Sequence, residues 1–152
     1  MDPVVAKIAE QFKVVHDQLR DEVRGLTPEE LNWKPAPDTN SIAALVVHTL
    51  GSEAEVLRVA ANEQGSRDRD AEFRASAETP DDLLRRLDQA DAYIDDMAAR
   101  ITQDDLAAER MRGERKPQTG LHWLLTNYGH AREHLAHIQL TKQLYTQAHQ
   151  AG

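Results

Sequence analysis

The sequence has 152 residues, of which 40% are hydrophobic and 29% are charged, and this favours one globular domain over residues 1–152 with a buried core. Cysteine is absent and the formal net charge is -8, which excludes disulfides, thiolate metal sites and cysteine nucleophiles and argues against nucleic-acid binding. No signal-peptide pattern or stretch of membrane-spanning length is found, so we expect a cytoplasmic protein without nucleic-acid or membrane partners.

The first predicted helix has apolar residues every three or four positions up to Val23, and Gly25 follows it as a stop signal. Thr27 then begins a short capped turn, with Glu30 at the capping-box position. The prolines in segment 33–37 interrupt helical structure. These signals predict one amphipathic helix followed by a short turn and a break.

Three further long helices are predicted on the same grounds. The second begins at a cap near Ser41 and is closed by Gly65, the third runs from Thr79 to about 101, and the fourth covers about 118–145. A polar crossover at 64–78 and a loop at 102–116 connect them. No alternating pattern predicts a strand.

The predicted fold is therefore all-α, a four-helix bundle. The short connection after the first helix makes the first two helices antiparallel. The long crossover lets the chain return along the bundle, so that the second and third helices run parallel. This arrangement is an up-down-down-up bundle.

A pair of histidines in the fourth helix is the main chemical signal. His130 and His134 are four residues apart and so lie on one helical face. His48 interrupts an apolar run in the second helix. If these helices pack together, the three imidazoles form a metal site with an open coordination position, as in catalytic sites.

Other interpretations of these histidines stay open. His48 is also consistent with a core histidine bonded to a backbone carbonyl, and the pair with surface residues. His137 continues the spacing and is interpreted as an outer partner of the site or a structural residue. Glu53 and Glu55 are candidates for support of His48, or for a solvated face. His16, His122 and His149 are interpreted as ordinary polar positions.

The helix lengths place His48 and the pair at similar depth. The mouth of the site is then expected to face the loop from Trp33 to Asn40. The basic segment 110–116 is expected at the opposite end of the bundle, as a solvated loop outside the pocket. No Glu-x-x-His or His-Glu-x-x-His motif occurs, which argues against a di-iron carboxylate site and against the His-Glu-x-x-His zinc-protease pattern.

These residues together resemble the DinB/YfiT-like superfamily. The segment Leu31–Pro35 and the run from Asn40 to His48 are similar to the family's loop and second helix, and 130–138 is similar to its last helix, with Ala136 where glycine is common. The resemblance implies a divalent metal, usually zinc or nickel, held by His48, His130 and His134. It also implies a homodimer, and relatives that include thiol-dependent transferases and isomerases.

The leading functional hypothesis is a metal-dependent S-transferase that activates an external low-molecular-weight thiol and presents it to a small electrophilic substrate. Trp33, Ser41 and Tyr128 are candidate pocket walls. The absence of cysteine agrees with a borrowed thiol. The alternatives are a hydrolase that uses metal-bound hydroxide, which needs an acid or base not identified in the sequence, and a non-enzymatic metal-binding bundle.

Overall fold

The computed structural model describes residues 1–150, which form four long helices, three helices of five residues and one pair of two-residue strands. In chain order the elements are α1 (Pro3–Val23), α2 (Pro28–Asn32), α3 (Ile42–Ala60), α4 (Arg69–Phe73), α5 (Pro80–Arg100), α6 (Gln103–Ala107), β1 (Glu109–Arg110), β2 (Gln118–Thr119) and α7 (Gly120–His149). The all-α prediction is confirmed, and the four long helices are those that the sequence predicts.

Helix boundaries follow local capping chemistry. The capping box predicted for Thr27 is present, because Thr27 Oγ1 accepts from the Glu30 amide at 3.2 Å and Glu30 Oε1 accepts from the Thr27 amide at 3.2 Å. The end of α3 differs from the prediction. The helix stops at Ala60, and Asn62 rather than Gly65 adopts the left-handed conformation, with φ 58°. Asparagine tolerates this conformation better than most residues.

Side-chain pairs between helices determine the chain directions. As residue numbers rise along α1, the numbers of their partners on α5 fall, as in the pairs His16–Asp91 and Arg20–Asp88. The same is true of α3 and α7, in the pairs His48–His130 and Ser52–Asn127. The helices in each of these two pairs are therefore antiparallel. Between α1 and α7, by contrast, the residue numbers of the partners rise together, as in Gln18–Arg132 and Glu22–Lys142, so these two helices are parallel. These directions confirm the up-down-down-up order.

A layer of buried polar side chains divides the bundle core. One apolar cluster includes Leu19, Leu45 and Leu135. The other includes Phe12 and Leu124. Between them lie polar residues that are at most 3% exposed: His16, His48, Ser52, Glu53 and Asn127. The candidate site is built on this layer.

The segment predicted as a plain loop after α5 contains α6 and the antiparallel pair of β1 and β2, in which Arg110 faces Gln118. The expectation of no strand is corrected here. Two residues are too few to produce an alternating pattern, so the sequence carries no strand signal. None of the helices within residues 1–150 combines the length and apolarity that crossing a membrane requires.

Candidate metal centre

The structure brings His48, His130 and His134 together, as the sequence predicts. His48 Nε2 lies 3.1 Å from His130 Nε2, and His134 Nε2 lies 2.9 Å from the same atom. One ligand atom from each histidine lies within 4.8 Å of the others, so the group could hold a metal ion. Zinc binds imidazole nitrogen at about 2.0–2.1 Å. Nitrogens at this mutual spacing can therefore contact one ion.

A carboxylate determines the orientation of His48. Glu72 Oε1 lies 3.0 Å from His48 Nδ1. Because the carboxylate accepts, Nδ1 carries the proton and Nε2 turns its lone pair toward the other two imidazoles. This carboxylate–histidine arrangement is typical of metal ligands. The converging nitrogen atoms, together with the Glu72 contact, show that these residues fit a divalent ion.

Glu72 is itself held in place from two sides. Arg67 donates to it twice, from Nε to Oε2 at 2.9 Å and from Nη2 to Oε1 at 2.8 Å. Gly51 on α3 leaves room for it, since a Cβ at this position would lie 2.0 Å from Glu72 Oε2. The absence of a side chain at position 51 therefore lets α4 bring the carboxylate against His48.

The three imidazoles are electrostatically suited to the neutral, metal-binding form. Burial is the main cause in each case, followed for His130 and His134 by repulsion from neighbouring histidines. These effects lower the pKa of His130 to about 4 and that of His134 to about 3. Burial also lowers the pKa of His48, although the hydrogen bond with Glu72 opposes the shift. Neutral imidazole is the form that binds metals.

A cleft of about 440 Å³ opens beside His48 and His130. Its other lining residues are Ser52, Arg67, Arg69, Arg112, Arg115, Trp123, Thr126 and Asn127. The expectation that the basic segment is a solvated loop at the far end of the bundle is wrong. Arg112 is only 8% exposed, and its Nη2 donates to Ser52 Oγ at 3.0 Å. The β1–β2 pair and the contact of α6 with α7 fold this segment over the site, which helix lengths alone do not indicate.

The remaining predicted pocket residues lie elsewhere. Trp33 packs edge-on against Tyr145 at a ring distance of 5.4 Å. Ser41 is buried and caps α3. Tyr128 packs edge-on against Phe12 at 6.2 Å. None of the three predicted residues lines the cleft beside His48 and His130, and their assignment to the wall of a substrate pocket stays a prediction. The apolar packing between helices accounts for both aromatic side chains.

His137 lies next to the metal centre on its outer side. Its Nδ1 is 3.3 Å from His134 Nδ1, and its side chain is exposed. Both residues line a second, mainly apolar groove of about 340 Å³, together with Leu140 and Leu144. This groove also includes Asn40, at the end where the mouth was expected. The histidines thus lie between an apolar groove and a cleft rich in arginine.

Sequence reasoning missed the ion network around His16. This residue is fully buried on α1, and its ring nitrogens lie 2.6 Å from Glu53 Oε2 and 2.6 Å from Asp91 Oδ1. It is neither an ordinary polar position nor part of the metal group. The interpretation of Glu53 as a solvated residue is also wrong. Its position among apolar α3 residues is the signal that predicts its burial.

Comparison with known proteins places the chain in a family. The model of the DinB superfamily matches residues 11–138. The chain belongs to the DinB superfamily. No match to this sequence is found among curated proteins.

Several solved structures share the fold of this chain. A conserved protein from Enterococcus faecalis has a TM-score of 0.77 at 16% identity, over 95% of this chain and 98% of that chain. A DinB-like protein from Bacillus subtilis has a TM-score of 0.67 at 18% identity, over 90% of both chains. A DinB-like protein from Bacillus cereus has a TM-score of 0.71 at 12% identity, over 90% of this chain and 89% of that chain. At these identities the comparison establishes the fold alone.

Proposed function

We propose that this DinB-superfamily protein is a metal-dependent S-transferase that uses an external low-molecular-weight thiol. The observation that carries the proposal is the cleft beside His48 and His130, two of the three histidines, which is lined by imidazole, arginine and hydroxyl groups. A small molecule in this cleft would lie next to two of the three proposed ligand residues. The chain has no sulfur nucleophile of its own because it contains no cysteine.

The chain's residues would divide the work as follows. His48, His130 and His134 would hold the ion, and Glu72 would keep the proton on His48 Nδ1. A bound zinc or nickel ion supplies Lewis acidity that favours the thiolate form of a thiol at neutral pH. Trp123, which is 5% exposed, would shield one side of the cleft from water. The electrophile would enter from the open side.

Hydrolysis is the weaker candidate because it requires a proton-transfer group at the open side of the site. Among the described residues that line the cleft, none is a carboxylate. The nearby Glu55 and Glu72 are both engaged by Arg67. Thiol transfer would need no such group, since a thiol that binds beside the three histidines would release its proton to solvent and the thiolate would then be ready to attack.

The test is consumption of thiol by protein loaded with zinc or nickel, in the presence of a generic electrophile and a panel of small thiols. We expect turnover that stops when a chelator is added and that is lost in His134→Ala. His122→Ala is the matched control, because His122 is an exposed histidine of the same helix. Elemental analysis of the purified protein identifies the metal. Sedimentation of the same preparation tests the homodimer that we propose.

Two results would contradict the proposal. Turnover that is equal in His134→Ala and wild type would show that the histidines do not carry the reaction. Stoichiometric zinc binding without consumption of any thiol would favour a metal-binding bundle without enzymatic activity. Chelator-sensitive cleavage of esters or amides, without thiol, would favour the hydrolase.

A further inference from the structure

The cleft beside the metal centre is positively charged in a protein of net charge -8. Four arginines line it: Arg67, Arg69, Arg112 and Arg115. The glutamates paired with this group are Glu55 and Glu72. Four arginines and two glutamates leave the cleft with two unbalanced positive charges.

Two of the arginines are fixed by the protein itself. Arg67 forms ion pairs with Glu55 and Glu72, and Arg112 forms one with Glu55 at 3.3 Å. The side chains of these two arginines are at most 13% exposed. Their charges are balanced by Glu55 and Glu72, so they line the cleft without adding net charge to it.

Arg69 and Arg115 differ from that pair. Neither forms an ion pair with any residue in 1–150, and both are exposed. Arg69 stacks over the Phe73 ring at 4.9 Å, which orients its side chain while its donors stay available. Guanidinium groups are the preferred partners of carboxylate and phosphate groups. The charges that remain unbalanced are thus at the rim of the cleft.

A second, independent observation lies deeper in the cleft. Asn127 is 1% exposed, and its Nδ2 donates to Ser52 Oγ at 2.6 Å. Its Oδ1 is buried without a hydrogen-bond partner among the described residues. A buried acceptor without a partner is costly, and a donor group on a ligand would satisfy it.

We infer that the cleft binds a small organic anion, whose carboxylate or phosphate contacts Arg69 and Arg115 and whose hydroxyl, amine or amide donor contacts Asn127 Oδ1. This inference rests on the proposed function, because it assigns the anion to one of the two reactants of the transferase. The guanidinium groups hold the charged end at the rim. The reactive end of the molecule then lies at the histidines.

The first test measures binding of inorganic phosphate to metal-free protein by NMR titration, with wild type compared with Arg69→Gln/Arg115→Gln. We expect saturable binding that weakens with added salt and is at least about tenfold weaker in the double variant. Arg24→Gln/Arg86→Gln is the matched control, because it removes two exposed arginines away from the cleft, one directly after α1 and one on α5. Equal affinity in wild type and Arg69→Gln/Arg115→Gln would overturn the inference.

Matched organic anions test the role of Asn127. Lactate and propionate differ by one hydroxyl, so we expect metal-free protein to bind lactate more tightly. Methyl lactate is uncharged, so we expect it to bind more weakly than lactate. In Asn127→Leu the preference for lactate over propionate should disappear, while affinity for phosphate persists. No preference for lactate in wild type would overturn the assignment of Asn127.

Zinc-loaded protein distinguishes the source of the charge. If thiolactate binds more tightly than lactate, and only when zinc is present, the bound anion is the thiol. If the two bind equally, the bound anion is the electrophile. Both results support the anion site. Failure of the proposed function can be distinguished from failure of the anion site. Anion binding without zinc binding would contradict the metal-dependent reaction, whereas zinc binding without any effect of Arg69→Gln/Arg115→Gln would contradict the anion site.

Discussion

Two groups of histidine at the polar layer, the buried His16 and the half-buried pair His130 and His134, have opposite charge states. His16 lies between two carboxylates, and its pKa is raised to about 9 because attraction to Glu53 and hydrogen bonds with Asp91 and Glu53 outweigh the effect of burial. The imidazoles of His130 and His134 face other imidazoles, and burial followed by this repulsion lowers their pKa to about 4 and about 3.

The difference shows that the partners, rather than burial, decide what a buried histidine does. Both ring nitrogens of His16 donate to carboxylates, so no lone pair remains for a metal. The single carboxylate at the metal centre is bound to His48 Nδ1 and neutralised by Arg67. Each neutral imidazole of the ligand set therefore keeps one nitrogen lone pair for a metal. The first arrangement stabilises the bundle and the second is a ligand set.

The largest expected effect is on the stability of the His16 network. In His16→Ala the carboxylate of Glu53, which is 2% exposed, loses its partner, and breaking such a buried pair costs about 3–5 kcal/mol. Urea unfolding followed by circular dichroism measures the loss, with exposed His122→Ala as control. A variant within about 0.5 kcal/mol of wild type would show that the pair contributes nothing.

The pH dependence of stability should have opposite signs in the two regions. Because the folded pKa of His16 is raised from 6.5 to about 9, its contribution is complete below pH 6.5 and is lost as the pH rises toward 9, by about 3 kcal/mol in total. The lowered pKa values of His130 and His134 contribute stability above pH 6.5 that is lost as the pH falls toward 4 and 3.

Thermal unfolding of metal-free protein across this pH range measures both the loss of stability above pH 6.5, here the alkaline limb, and the loss below pH 6.5, here the acid limb. His16→Gln should flatten the alkaline limb and leave the acid limb unchanged. An alkaline limb that survives in His16→Gln would assign the loss to another group. An acid limb unchanged in His130→Ala/His134→Ala would contradict the neutral state of the ligand set.

Removal of a ligand is expected to weaken metal binding more than removal of an outer partner does. In His48→Ala and His134→Ala the zinc affinity should fall by more than about 100-fold, or about 3 kcal/mol. Zinc should then no longer raise the melting temperature at a concentration that stabilises wild type. His122→Ala should keep wild-type affinity. Retention of stoichiometric metal by both ligand variants would refute the site.

The smallest expected effect is that of the carboxylate behind His48. Glu72→Gln keeps the shape but removes the charge that orients the imidazole, so zinc affinity should fall by about 10–100-fold. Competition with a chromophoric chelator measures the change, and exposed Glu78→Gln is the control. Unchanged affinity would indicate that Arg67 and Glu72 serve only to hold α4.

Much of the fold and the ligand set could be predicted from the sequence. The periodic apolar positions determine four long helices, and the loop lengths favour the observed chain directions. The spacing of His130 and His134 places them on one helical face, because the helical repeat is local. The roles of His16 and Glu53 could not be predicted, since each depends on a partner 37 positions away in the chain.

The sequence by itself thus determined the four long helices, because local periodicity and capping encode them, and its loop lengths favoured the bundle order. The spacing of His130 and His134, together with the resemblance to the DinB/YfiT-like superfamily, pointed to these two residues and His48 as the ligand set. Only the tertiary structure decided what surrounds those histidines. α4 brings Glu72 to His48, and the segment after α6 brings Arg112 to Ser52. These contacts come from short, irregular segments without a periodic signal. The positions of Glu72 and Arg112 depend on how these segments pack against the long helices.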